Sequence, residues 1–86
     1  MSLLVTGCAG FIGSNFVTFS LDKHPERKII GLDLLTYAGN LDNLSDTLTH
    51  PSFTFVKGDI CDADTVKKLF EQYHIERVVH FAAESH

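Results

Sequence analysis

The stretch Leu3-Leu4-Val5-Thr6-Gly7-Cys8-Ala9-Gly10-Phe11-Ile12-Gly13 decides the fold. Its first residues form an apolar run without polar alternation, the pattern of a strand covered on both faces. The run ends in glycines at a G-x-x-G-x-x-G spacing, Gly7, Gly10 and Gly13. Ile12, Phe16 and Phe19 follow at helical intervals and predict an apolar helix face. A strand, a glycine turn and a helix in that order suit a backbone that approaches a diphosphate. Gly7 frees the sharp turn, Gly10 carries no Cβ to block the ligand, and Gly13 lets the helix pack close to the sheet. The first N–H groups of the helix, aided by its dipole, then face the phosphate charge. A tight strand-to-helix turn with no ligand is the alternative that glycines alone leave open.

Working outward, the pattern repeats. Pro25, after Asp22-Lys23-His24, ends the first helix. Lys28-Ile29-Ile30-Gly31-Leu32-Asp33 reads as a second buried strand, and Phe53-Thr54-Phe55-Val56 as a third. Between them Asn40 is a candidate cap for a short helix carrying Leu41, Leu44 and Leu48, and Pro51 breaks the chain. Asp62 is a natural N-cap for a helix with Val66, Leu69, Phe70 and Tyr73 on one face. Arg77-Val78-Val79-His80-Phe81 is a fourth strand. The reading is β-α-β-α-β-α-β with crossovers long enough for parallel pairing. This is an α/β chain, the first half of a Rossmann-like doubly wound parallel sheet with strand order 3-2-1-4. A further strand is expected beside the fourth, whose outer edge is otherwise unpaired.

Composition narrows the function. Eighty-six residues hold one small domain or a piece of a larger one. Apolar residues make up 44% and charged residues 21%, an ordinary globular balance. Seven basic against 11 acidic residues give a net charge of −4, which does not support nucleic-acid binding. No apolar run is long enough to span a bilayer, and Met1-Ser2-Leu3-Leu4 lacks the basic start of a signal peptide. A cytoplasmic protein is expected. Cys8 and Cys61 form neither a CxxC nor a zinc spacing and follow strands separated by a third, so both are read as reduced thiols.

Asp33 stands twenty residues after Gly13 at the end of the second strand. In a dinucleotide fold that position puts a carboxylate on the adenosine ribose hydroxyls. It repels a 2′-phosphate, and no Lys or Arg follows directly, so NAD is favoured over NADP. Asp33→Ser with Leu34→Arg is expected to shift preference toward NADP. Asp59-Ile60 ends the third strand beside the same crevice. Asp59 either reaches adenine, with Ile60 over the ring, or belongs to the turn before Asp62. Ala82 and Ala83 are small where the middle of the cofactor would pass, or are simply close-packed, and Glu84, Ser85 and His86 are polar where a substrate would sit, with a solvated chain end as the other reading of Glu84 and His86. His80 reads as a buried, hydrogen-bonded histidine, and with His86 it lacks a third ligand, so no metal site is expected.

Thr6 through Gly13 resembles the nucleotide-binding turn of extended short-chain dehydrogenase/reductases. Asp33-Leu34-Leu35-Thr36-Tyr37-Ala38-Gly39-Asn40-Leu41, Gly58-Asp59-Ile60-Cys61-Asp62 and His80-Phe81-Ala82-Ala83-Glu84-Ser85-His86 are similar to segments of the dTDP-glucose 4,6-dehydratases within that group. The resemblance covers essentially the whole chain. It implies that Phe11 and Ile12 present backbone to the pyrophosphate and that Asp33, Leu34, Leu35 and Thr36 surround the adenosine ribose. It also implies that Asp59 and Ile60 hold adenine. Phe81, Ala82, Ala83, Glu84 and Ser85 would line the middle and nicotinamide side, with Ser85 also near the sugar-nucleotide. Leu34 stands where the family usually has Lys, and Cys8 where it usually has Gly.

The implied reaction converts dTDP-glucose to its 4-keto-6-deoxy product: hydride leaves C4, water is lost across C5–C6, and the hydride returns to C6. Bound NAD is regenerated. The implied parent is a homodimer. Another sugar-nucleotide epimerase, dehydratase or decarboxylase, or a non-catalytic NAD-binding module, are the alternatives. The family's catalytic Tyr-x-x-x-Lys pair is absent, since neither Tyr37 nor Tyr73 has a Lys four residues on. Residues 1–86 are therefore expected to be the N-terminal part of an NAD-binding domain, without a substrate domain and without catalytic residues or activity of their own.

Overall fold

A computed structural model describes residues 2–35 and 41–81. Its elements are β1 (Ser2–Thr6), α1 (Phe11–Lys23), β2 (Lys28–Asp33), a 3-10 turn (Leu41–Leu44), β3 (Phe53–Lys57), α2 (Ala63–Tyr73) and β4 (Ile75–His80). The strands form one parallel sheet in the order β3-β2-β1-β4, as the crossover pattern predicted. The register aligns Thr6 with Leu32 on one side and with His80 on the other, so the strands end along one edge. The helix expected between β2 and β3 is in the described residues only a 3-10 turn; Asn40, its candidate cap, lies outside them.

Alternation along the strands divides the core. Leu3, Val5, Ile29 and Phe53 face α1 and the 3-10 turn, packing with Val17, Leu21 and Leu44. Leu4, Ile30 and Leu32 face the other way and pack on Leu69 of α2. Gly31 lies where two residues cross it: a Cβ there would sit 2.6 Å from Cys8 Sγ and 2.8 Å from Phe53 Cζ.

Two readings need correction. The buried face of α1 is Gly13, Ser14, Val17, Ser20 and Leu21, whereas Ile12 is 67% and Phe19 60% exposed. Small residues let the helix lie close to the sheet, and the Ser14 hydroxyl is satisfied by donating to the Phe11 carbonyl (3.1 Å). His80 is exposed, not buried, because α2 covers Leu4, Ile30 and Leu32 but leaves Val78 and His80 uncovered. Its hydrogen bond is present: Nδ1 meets the buried Thr6 hydroxyl at 2.6 Å. Asp62 caps α2 as expected, accepting from the N–H groups of Asp64 (3.1 Å) and Thr65 (3.4 Å). The Thr65 hydroxyl and backbone hold its carboxyl below the usual range. On α2, Leu69 is buried, Val66 and Tyr73 are half-buried, and Phe70 is exposed.

Candidate dinucleotide site

The turn after β1 is built by its glycines. Gly7 has φ +71°, a conformation costly for any residue with a Cβ, and its N–H donates to the Leu32 carbonyl (2.8 Å). Gly13 packs directly on it. A Cβ at Gly13 would run into the Gly7 carbonyl oxygen and lie 3.2 Å from Cys8 Cα. Gly10, at φ −73° and ψ 168°, is the N-cap of α1 in extended backbone that any residue adopts.

The two α-helices start differently. Asp62 and the first-turn Asp64 supply negative charge to α2. At α1 no side chain caps the N-terminus and no acidic residue lies in the first turn, among the described residues. The first intrahelical-type bond is Ser14 N–H to the Gly10 carbonyl (2.9 Å), which leaves the N–H groups of Phe11, Ile12 and Gly13 without an intrahelical partner. This end carries the positive pole of the helix and suits an anion. Phe11, 76% exposed, and Ile12 put large side chains on the surface here and leave the backbone for the ligand.

Asp33 is 3% exposed at the tip of β2. Its Oδ2 accepts from the Ala9 N–H and its Oδ1 from the Leu35 N–H, both at 2.8 Å. The carboxylate expected at the ribose thus also holds the glycine turn. Leu34 is partly exposed, and Leu35, at φ +64°, packs against the α1-side core. Thr36, Ala82, Ala83, Glu84 and Ser85 lie outside the described residues.

Asp59 is exposed and forms the turn that leads to the Asp62 cap: its Oδ1 accepts from Cys61 N–H and its carbonyl from Asp62 N–H, each at 2.9 Å. The turn reading is therefore observed, and an adenine contact is compatible with that exposure. Ile60 is half-buried against the α2-side core. Both adjoin the site through Gly58, whose N–H donates to the Asp33 carbonyl (3.1 Å). The Phe81 N–H donates to the Thr6 carbonyl (2.9 Å), while its ring packs on Phe16 at 5.4 Å between centroids. So a direct bond and close packing join Gly7, Gly10 and Gly13, while Asp33 is tied to the turn through Ala9 and Phe81 to the end of β1 through Thr6. Asn43, which the sequence reading missed, donates from Nδ2 to the Ala9 carbonyl at 2.7 Å. No local pattern announces a bond that spans thirty-four residues. A cavity of about 490 Å³ lies toward the other end of α1, lined by Phe19, Asp22, Pro25 and His50 among others, and takes in none of the predicted site residues.

Both cysteines are free thiols, Cys8 buried and Cys61 exposed. Burial, then the Asp33 charge, push the Cys8 thiol up to about 12. At pH 8 such a thiol stays protonated, and the thiolate is the reactive form. A disulfide reagent applied to the native protein at pH 8 should titrate Cys61 promptly and Cys8 only after denaturant is added. Prompt reaction of both would contradict the buried turn.

Among the described residues no helix is long and apolar enough to cross a membrane, and no three His, Cys, Asp or Glu side chains group to hold a metal. Residues 4–86 match the family described as GDP-mannose 4,6 dehydratase. The chain is 51% identical over all 86 residues to the low-salt glycan biosynthesis protein Agl12 of Haloferax volcanii, covering 27% of that protein. It is 45% identical over its full length to the dTDP-glucose 4,6-dehydratase of Salmonella typhimurium, covering 24% of it. The crystal structure of dTDP-glucose 4,6-dehydratase from Bacillus anthracis str. Ames in complex with NAD superposes with a TM-score of 0.94 at 45% identity, over 98% of this chain and 27% of that one. The chain spans about a quarter of the length of the relatives it matches.

Proposed function

This chain belongs to the GDP-mannose 4,6 dehydratase family, and we propose that it is the NAD-binding portion of a dTDP-glucose 4,6-dehydratase. The observation that carries the reading is the bare N-terminus of α1 beside a turn held by the buried Asp33 carboxylate, whereas α2, the other α-helix among the described residues, is capped by Asp62. Supporting it are 45% identity to a dTDP-glucose 4,6-dehydratase and structural likeness to one in complex with NAD.

The residues present fit that dinucleotide. The N–H groups of Phe11 and Ile12 hold the diphosphate, with Gly10 leaving room for it. The Asp33 carboxylate stands at the ribose hydroxyls and repels a 2′-phosphate, so NAD binds in preference to NADP. Leu34, Leu35 and Thr36 surround that ribose, and Asp59 and Ile60 lie at adenine. Phe81, Ala82, Ala83, Glu84 and Ser85 run along the rest, with Ser85 also at the sugar-nucleotide. When bound, NAD supplies a hydride acceptor that later returns the hydride, while this chain binds and orients. Water is lost from dTDP-glucose to give the 4-keto-6-deoxy sugar, with the Tyr-x-x-x-Lys pair supplied by further sequence. The enzyme works in the cytoplasm as a homodimer.

The test is an assay of the full-length polypeptide with dTDP-glucose, together with titrations of NAD and NADP. Formation of the 4-keto-6-deoxy product, and NAD bound at least about tenfold more tightly than NADP, are expected. An epimerised product, or equal affinity for the two dinucleotides, would overturn the reading.

A further inference from the structure

We propose that Asn43 is a positioning residue for the dinucleotide diphosphate; this rests on the NAD-binding reading above. Ala9 is fully buried in the turn between β1 and α1. Its N–H is held by Asp33 Oδ2 at 2.8 Å, and its carbonyl by the Asn43 amide at 2.7 Å. The peptide unit that joins Ala9 to Gly10 is therefore fixed at both ends, because the Gly10 N–H donates to the Gly7 carbonyl at 3.2 Å. The next residues are Phe11 and Ile12, whose N–H groups face no side-chain cap.

This peptide unit matters because of its charge. A carbonyl oxygen carries partial negative charge, and this one lies a single residue before the N-cap of the helix expected to take an anion. An amide donor on that oxygen offsets the charge and holds the carbonyl toward the 3-10 turn. Glycine at position 10 makes the peptide easy to rotate, so an external grip is needed to keep the donors of the turn arranged before the ligand arrives. Asn43 is itself on the surface, at the 3-10 turn (Leu41–Leu44), so its amide is free to be replaced without opening the core.

The experiment measures affinities of the full-length protein for NAD, ADP and adenosine, with melting temperatures, in the wild type and in Asn43→Ala and Asn43→Asp. Asn43→Ala removes one hydrogen bond and should weaken NAD and ADP about tenfold. Adenosine, which lacks the diphosphate, should keep its affinity within about twofold, while the melting temperature falls by a few degrees because the buried Ala9 carbonyl loses its donor. Asn43→Asp sets a carboxylate against the Ala9 carbonyl, one residue before the N-cap, and should weaken NAD and ADP further, with adenosine again spared. Unchanged NAD affinity in both variants, or equal losses for adenosine and ADP, would overturn the role of Asn43 while leaving the NAD-binding reading intact. A wild type that fails to bind NAD would overturn both.

Discussion

Gly13→Ala removes NAD binding and destabilises the fold by about 3 kcal/mol, the upper end of what forced overpacking costs. The reason is local and hard to evade. A Cβ at this position meets the Gly7 carbonyl oxygen, with the Gly7 carbonyl carbon 3.0 Å and Cys8 Cα 3.2 Å away. All three are backbone atoms, so no side chain can rotate to make room. Either α1 lifts from the sheet, which uncovers Val17 and Leu21, or the turn opens. Both routes scatter the N–H groups of Phe11 and Ile12. For a domain of this size the loss corresponds to a fall in melting temperature of about 15 °C. Thermal unfolding followed by circular dichroism, with NAD titration of the same variant, checks it. A variant that melts with the wild type would mean that Gly13 is not in close contact with the turn.

The second large effect is at Asp33. Asp33→Ala should weaken NAD at least about a hundredfold and cost several kcal/mol of stability, since two hydrogen bonds to a charged group are worth about 1.5–3 kcal/mol each. Two of its bonds reach in opposite directions along the chain, to Ala9 and to Leu35. Removing the carboxylate leaves the Ala9 N–H buried without an acceptor, and that penalty falls on the turn whether or not a ligand is present. The structure thus sharpens what the sequence suggests for cofactor exchange. Asp33→Ser with Leu34→Arg should invert the ratio of NAD to NADP affinity, yet NADP should not reach the affinity of the wild type for NAD, because the turn has lost its anchor. Binding titrations of both dinucleotides, with melting curves, separate the two effects. An Asp33→Ala variant of unchanged melting temperature would show that the carboxylate serves the ligand alone.

Much of this was legible in the residues. Unbroken apolar runs at positions 3–5 and 29–32 announce strands buried on two faces, and the spacing of Gly7, Gly10 and Gly13 announces the turn between β1 and α1. Asp62 was legible as a cap because capping is a contact over two or three residues. Periodicity misled at α1, where the large apolar residues Ile12 and Phe19 lie outside and the small polar Ser14 and Ser20 inside. Hydropathy ranks serine as a surface residue, but tight packing of a helix on a sheet selects for size, and a helical serine can satisfy its hydroxyl on its own backbone. His80 misled because sheet position does not reveal how far the covering helix extends. The Ala9–Asp33 and Ala9–Asn43 bonds were invisible for a simpler reason: each spans more than twenty residues and involves a backbone group of an alanine, which carries no signature.

The most direct test of the central claim is a crystal structure of the full-length protein with NAD. The account predicts diphosphate oxygens within hydrogen-bond distance of the Phe11 and Ile12 N–H groups, and the adenosine ribose hydroxyls on the Asp33 carboxylate, which keeps its bond to Ala9. A dinucleotide bound away from the α1 N-terminus, or a ribose that does not touch Asp33, would contradict it.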